Sequence, residues 1–125
     1  MEYEKIINDV LNIFKNDLKA VEYAKNHYVL QTPFFLNTGN PVTVGVVIIS
    51  DNDFILTDMK NTLSNINNED EKSYLFAMAK ANKILDKYDL NNNNGEICIR
   101  CNKSEVLGSF NRFMHAVILI DNMIA

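Results

Sequence analysis

Cys98 and Cys101 stand in a C-x-x-C spacing, an arrangement shared by thiol redox centres and zinc sites. Redox use needs the first cysteine at a helix N-terminus, where the dipole lowers the thiol pKa. Here Cys98 falls inside the alternating run Glu96-Ile97-Cys98-Ile99-Arg100, which predicts a strand. A separation of three along a strand sends two side chains to opposite faces. No second pair exists to complete a zinc site, so both thiols are expected to be structural.

The carboxylates offer two further chemistries. Restriction-type nucleases place Pro-Asp before one strand and acid-x-Lys on the next, so that two carboxylates hold Mg²⁺ and the lysine assists. Pro41 precedes the apolar run 42–49 and Asp58-Met59-Lys60 ends the following one. The residue after the proline is Val42, however, and the first metal ligand is missing. Asp58 is better read as a helix cap. Asp51-Asn52-Asp53 resembles the start of a calcium loop, but Leu56 stands where that loop needs glycine and Thr62 where it needs glutamate. His27 and His115 are the two histidines, and neither accompanies a nucleophile motif. With no phosphate-binding glycine loop and no metal cluster, the sequence predicts no catalytic residue, no metal and no cofactor.

What remains is surface. Asp51, Asp53, Asp58, Glu69, Asp70 and Glu71 face two lysines between residues 51 and 72. The excess there equals the net charge of the whole chain, −4. Such a segment is either a solvated face or a means of steering toward a basic protein surface. The last helix supplies a second candidate. Val117, Ile118, Leu119 and Ile120, with Met123 and Ile124, are apolar nearly all round, whereas a surface helix keeps one polar face. Either the core wraps it on two sides, or Val117, Ile120, Met123 and Ile124 meet a partner or a second copy of the chain.

The elements that position these residues follow from periodicity. Ile6, Ile7, Val10, Leu11, Phe14 and Leu18 recur at helical spacing and predict a helix over about 3–19. Residues 27–32 read as a strand ended by Pro33, because proline forces its predecessor into an extended conformation. Asn37-Thr38-Gly39-Asn40-Pro41 is a dense turn signal. The β-branched run 42–49 predicts a central strand, returning through Ser50-Asp51-Asn52-Asp53 into Phe54-Ile55-Leu56-Thr57 as an antiparallel hairpin. A short helix from Thr57 or Asp58 to Leu63, a helix over 71–88, a strand over 96–100 and a helix from Ser104-Glu105 onward complete the chain. The expected fold is α+β, a small, mostly antiparallel sheet of about four strands packed with helices, in the order α-β-β-β-α-α-β-α.

Three short pieces resemble the bacterial family known as domain of unknown function 1828: Thr32-Pro33, the turn Gly39-Asn40-Pro41 before the apolar strand, and the step Leu56-Thr57-Asp58. The resemblance spans roughly residues 20–125. It differs where family members follow the aspartate with an acid and a glycine, since this chain has Met59 and Lys60, and has Asn40 for the family's acid after the turn glycine. The family name implies no activity. Many members belong to phages and mobile elements of low-GC bacteria, and the abundant Asn, Lys and Ile of this chain agree with an AT-rich coding sequence.

At 125 residues, 47% hydrophobic and 22% charged, the chain is expected to form one globular domain over 1–125. The acidic start at Glu2 and Glu4, the two cysteines and the short apolar runs point to a cytoplasmic protein with no membrane span. The net negative charge argues against nucleic acid as the partner. The leading expectation is a non-catalytic protein-binding module, of the kind a phage or mobile element uses to inhibit a host defence or replication protein, with homodimerisation through the last helix. The alternatives are an acidic secretion-type chaperone that binds an extended peptide, and a divergent metal-dependent nuclease-like domain.

Overall fold

The computed structural model describes residues 19–124; the helix expected over 3–19 lies outside them, except at its last residue. Strand β1 (Lys19–Ala24) begins there, followed by β2 (His27–Phe35), β3 (Pro41–Ser50) and β4 (Asp53–Thr57). A 3-10 turn, Leu63–Asn65, precedes helix α1 (Glu71–Lys87). Strands β5 (Asn91–Asn93) and β6 (Glu96–Cys101) and helix α2 (Val106–Ile124) follow. All neighbouring strands are antiparallel, in the spatial order β1-β2-β3-β4-β6-β5.

This corrects the expected fold. Among the described residues the sheet has six strands rather than about four, and the order is β-β-β-β-α-β-β-α with a 3-10 turn before α1. The two added strands come from hairpins. Ala24 pairs with His27, so Lys25 and Asn26 form a two-residue loop. Asn26 adopts φ 66°, which asparagine tolerates better than most residues, and its carbonyl accepts the Ile48 N–H at 2.9 Å. At the far edge, Asn94 and Gly95 have φ 52° and 92° and close β5 onto β6 with the left-handed pair that a type I′ hairpin needs.

Pro33 does not end β2. The register shifts between Gln31 and Phe35, so the proline sits in an irregular segment where no ladder N–H is required. The Thr32 hydroxyl donates to the Val42 carbonyl at 2.8 Å and so supplies a side-chain donor where the ladder breaks. The short helix expected from Asp58 is also absent. Met59 and Lys60 take left-handed φ values of 56° and 65°, and the Asn61 N–H returns to the Asp58 carbonyl at 3.1 Å.

One face of the sheet forms the core. Tyr28 and Leu30, Val42 to Ile48 at alternate positions, Phe54 and Leu56, and Ile97, Ile99 and Cys101 all bury there against Ala81 and Leu85 of α1 and Phe113, Val117 and Ile120 of α2. That two-residue period is the pleat of a half-buried strand. The opposite face carries Val21, Val29, Val47, Ile49 and Ile55 at the intervening positions. Helix α1 is capped at both ends. The Asp70 carboxylate accepts the Lys72 N–H at 3.3 Å and the Ser73 hydroxyl at 2.6 Å, and Asp89 (φ 57°) turns the chain so that the Leu90 N–H reaches the Leu85 carbonyl.

Candidate functional site

Strand β4 ends where the chain must cross the end of the sheet. Asp58 stands at that point, 2% exposed, with its carboxylate turned onto main-chain donors. Oδ1 accepts the N–H groups of Lys60 and Ile97, each at 2.9 Å. Oδ2 accepts the Thr62 N–H at 3.0 Å. A buried carboxylate is tolerable only with such partners. The neighbouring Thr57 hydroxyl donates to Glu96 Oε2 and accepts the Met59 N–H at 3.0 Å. Asp58 is thus the hub of the loop 58–65 rather than a helix cap.

That loop and the β2–β3 turn form the two walls of a groove of about 470 Å³, within the range of ligand pockets. Thr38, Asn40, Pro41 and Thr43 line one wall, and Asp58, Asn61, Thr62 and Asn65 the other. Leu36, Val42 and Val117 supply the apolar lining. The turn wall is tethered to α2, because Asn37 donates its main-chain and side-chain N–H groups to Asp121 Oδ2, both at 2.9 Å. Among the described residues, Asp58 is the one charged group of the lining, which contains no Lys or Arg.

The β3–β4 ladder stops at Gly45 and Thr57. In a strand, a residue's own N–H and C=O point to one side and those of its neighbours to the other. The Val42 carbonyl is turned toward Thr32 of β2, so the N–H and C=O of Thr43 face the groove, beyond the last β3–β4 pair. Gly45 is needed at that last pair. A Cβ there would lie 2.9 Å from Thr57 Cγ2 and 3.2 Å from Met59 Cγ.

The six acids of 51–72 do not form one patch. Asp51 and Asp53 lie at the turn end of β4 and Asp58 is buried at its other end, five residues or roughly 17 Å away at strand rise. Asp53 is bound by Arg100, whose Nε donates to Oδ1 at 2.9 Å, and this hydrogen bond holds the Asp53 carboxyl below its ordinary pKa. The Ser73 hydroxyl and the Lys72 N–H do the same for Asp70. Glu69 and Glu71 are exposed beside it at the start of α1.

The last helix buries one face in the core and keeps the other, with Asn111, His115, Leu119 and Asn122, exposed. Val117 and Ile120 are buried within the domain, and Met123 and Ile124 pack partly against the same core. Val117 and Ile120 are therefore unavailable as a contact surface for a second chain. Its exposed large apolar side chains are Leu107 and Leu119. Phe34 and Phe35 are exposed instead at the end of β2, at 52% and 68%. The sequence signal for them was two adjacent phenylalanines, of which alternation can bury only one in a half-covered strand.

Cys98 and Cys101 are free and point to opposite faces of β6. Burial pushes both thiols above their ordinary pKa. The charges of Glu96 and Asp58 add to the shift at Cys98, while a hydrogen bond with Ser109 partly opposes it at Cys101. Neither is an activated nucleophile. His27 Nδ1 donates to the Lys25 carbonyl at 2.7 Å, and the exposed His115 packs edge-on against Tyr88. Among the described residues, no three His, Cys, Asp or Glu side chains come together as a metal set, and no helix is long and apolar enough to cross a membrane.

The three motifs of the resemblance meet at this groove. Thr32 holds Val42, Asn40 and Pro41 stand on one wall, and Asp58 organises the other. No curated protein matches the chain, and no solved structure does. A family model described as domain of unknown function DUF1828 matches residues 32–120, most of the chain, and the chain belongs to that family.

Proposed function

We propose that this domain is a non-catalytic protein-binding module whose contact surface is the end of the sheet formed by the β2–β3 turn and the loop 58–65. The observation that carries this reading is the exposure of Phe34 and Phe35, at 52% and 68%, in the hairpin that supplies one wall of the groove. Aromatic side chains are enriched in protein interfaces and dominate their energetics. The state of the reactive groups supports a binding role, because the carboxylate of Asp58 in the groove is engaged by three main-chain donors and the two thiols, outside the groove lining, are raised in pKa by burial.

The test compares wild type with the double variant Phe34→Ala/Phe35→Ala, each immobilised and exposed to a bacterial lysate at low salt. The expected result is protein capture by wild type that falls at least tenfold in the double variant, with folding checked by circular dichroism. Equal capture by both, or recovery of nucleic acid without protein, overturns the reading.

A further inference from the structure

We infer that the groove takes an extended peptide segment of a partner protein, which pairs with the edge of β3 at Pro41–Thr43; this deepens the protein-binding reading and rests on it. The backbone supplies the recognition. The N–H and C=O of Thr43 face the groove where β4 has turned away, and the Pro41 carbonyl, two residues along, faces the same side. An incoming strand meets these groups at its own repeat of roughly 6.8 Å for every second residue. Chain ends and internal segments satisfy this requirement equally, and any sequence that can extend provides the pairing.

The side chains around this edge match a peptide. Asn40, Asn61, Thr38 and Thr62 offer amide and hydroxyl groups of both polarities, suited to the remaining main-chain groups of the segment. Leu36, Val42 and Val117 form an apolar lining that receives one side chain, while the next points to solvent, as strand alternation dictates. The electrostatics narrow the choice. Among the described residues Asp58 is the charged residue of the lining, and the chain carries −4 overall, so a neutral or basic segment is favoured and a phosphate-rich ligand is opposed. Among the described residues no aromatic ring lines the groove, and they offer no stacking platform of the kind a sugar ring would use.

The experiment pans a displayed library of random heptapeptides against the full chain and measures the affinity of enriched peptides for wild type, Asn61→Trp and Thr43→Pro. Asn61 is exposed on the groove wall, so tryptophan there fills the groove and leaves the core untouched. Proline at 43 removes the N–H that faces the groove. The expected result is enrichment of apolar and basic residues at alternate positions, with binding at least tenfold weaker for Asn61→Trp and about three- to tenfold weaker for Thr43→Pro. Methylating single backbone nitrogens of a bound peptide is expected to weaken it at alternate positions. Failure to enrich any peptide, equal binding to Asn61→Trp, or binding of neutral oligosaccharides in place of peptides overturns the inference. If lysate capture depends on Phe34 and Phe35 but survives Asn61→Trp, the groove proposal falls and the protein-binding reading stands; if capture depends on neither, both fall.

Discussion

Asp58 grips Ile97 twice: its main-chain N–H donates to the Ile97 carbonyl at 3.0 Å, and its carboxylate Oδ1 accepts the Ile97 N–H at 2.9 Å. The side chain thereby stands in for the strand residue that would have continued β4 alongside β6. Replacing it leaves buried main-chain donors without acceptors, each costing about 1–3 kcal/mol. Asp58→Ala is expected to lower stability by about 3 kcal/mol or more, and Asp58→Asn, which keeps one oxygen, by less. Urea denaturation monitored by circular dichroism checks the order. An Asp58→Ala chain as stable as wild type would contradict it.

Lys60 occupies φ 65°, where an L side chain costs roughly 1–2 kcal/mol relative to its usual conformations. Glycine carries no such cost at that angle. Lys60→Gly is therefore expected to raise stability by about 1 kcal/mol, since the main-chain bond from residue 60 to Asp58 is retained. A shift of the urea midpoint to lower concentration would refute it.

Gly45 and Thr57 form a second coupled pair, because a Cβ at 45 would meet Thr57 Cγ2 at 2.9 Å. Thr57 is β-branched and stiff at χ1, so Gly45→Ala should cost about 1–3 kcal/mol. Thr57→Ser removes the obstructing methyl and keeps the hydroxyl that meets Glu96 and the Met59 N–H. The double variant Gly45→Ala/Thr57→Ser should recover part of the loss. A strictly additive thermodynamic cycle would show that the two positions do not collide.

The Asp53–Arg100 pair gives a pH signature. Its folded pKa lies below the ordinary 3.8 because of the Arg100 hydrogen bond, so its contribution is complete above the unfolded value and fades as pH falls through the lower folded one. Asp53→Asn is expected to narrow its stability gap to wild type as pH drops below 4. Both partners are solvent-screened, so the gap should also shrink in 1 M salt. Carboxyl NMR titration of wild type locates the Asp53 transition, and a value above 3.8 would remove the basis for this expectation.

The parts of the fold legible from sequence were those whose signals are local and periodic. The run 42–49 and its return through residues 53–57 form the β3–β4 hairpin because alternation and turn residues agree. The first hairpin was hidden because its loop, Lys25-Asn26, lacks glycine and relies on Asn26 alone for the left-handed position. The last hairpin was masked by its own composition: Asn94-Gly95 is a strong turn pair, but four consecutive asparagines read as a break. Pro33 misled because a side chain, Thr32, took over where the ladder is irregular. The groove could not be read at all, for its walls come from segments about twenty residues apart and its best donors are main-chain atoms.

The polar edge of the sheet has a consequence for self-association. β5 is three asparagines long and exposed, and Asn92 is drawn toward Asn82 of α1 at 3.0 Å. A rim so short and so hydrophilic makes a poor template for another chain to line up against. Fibre growth from that side is discouraged, even though the neighbouring strands are rich in residues that favour it.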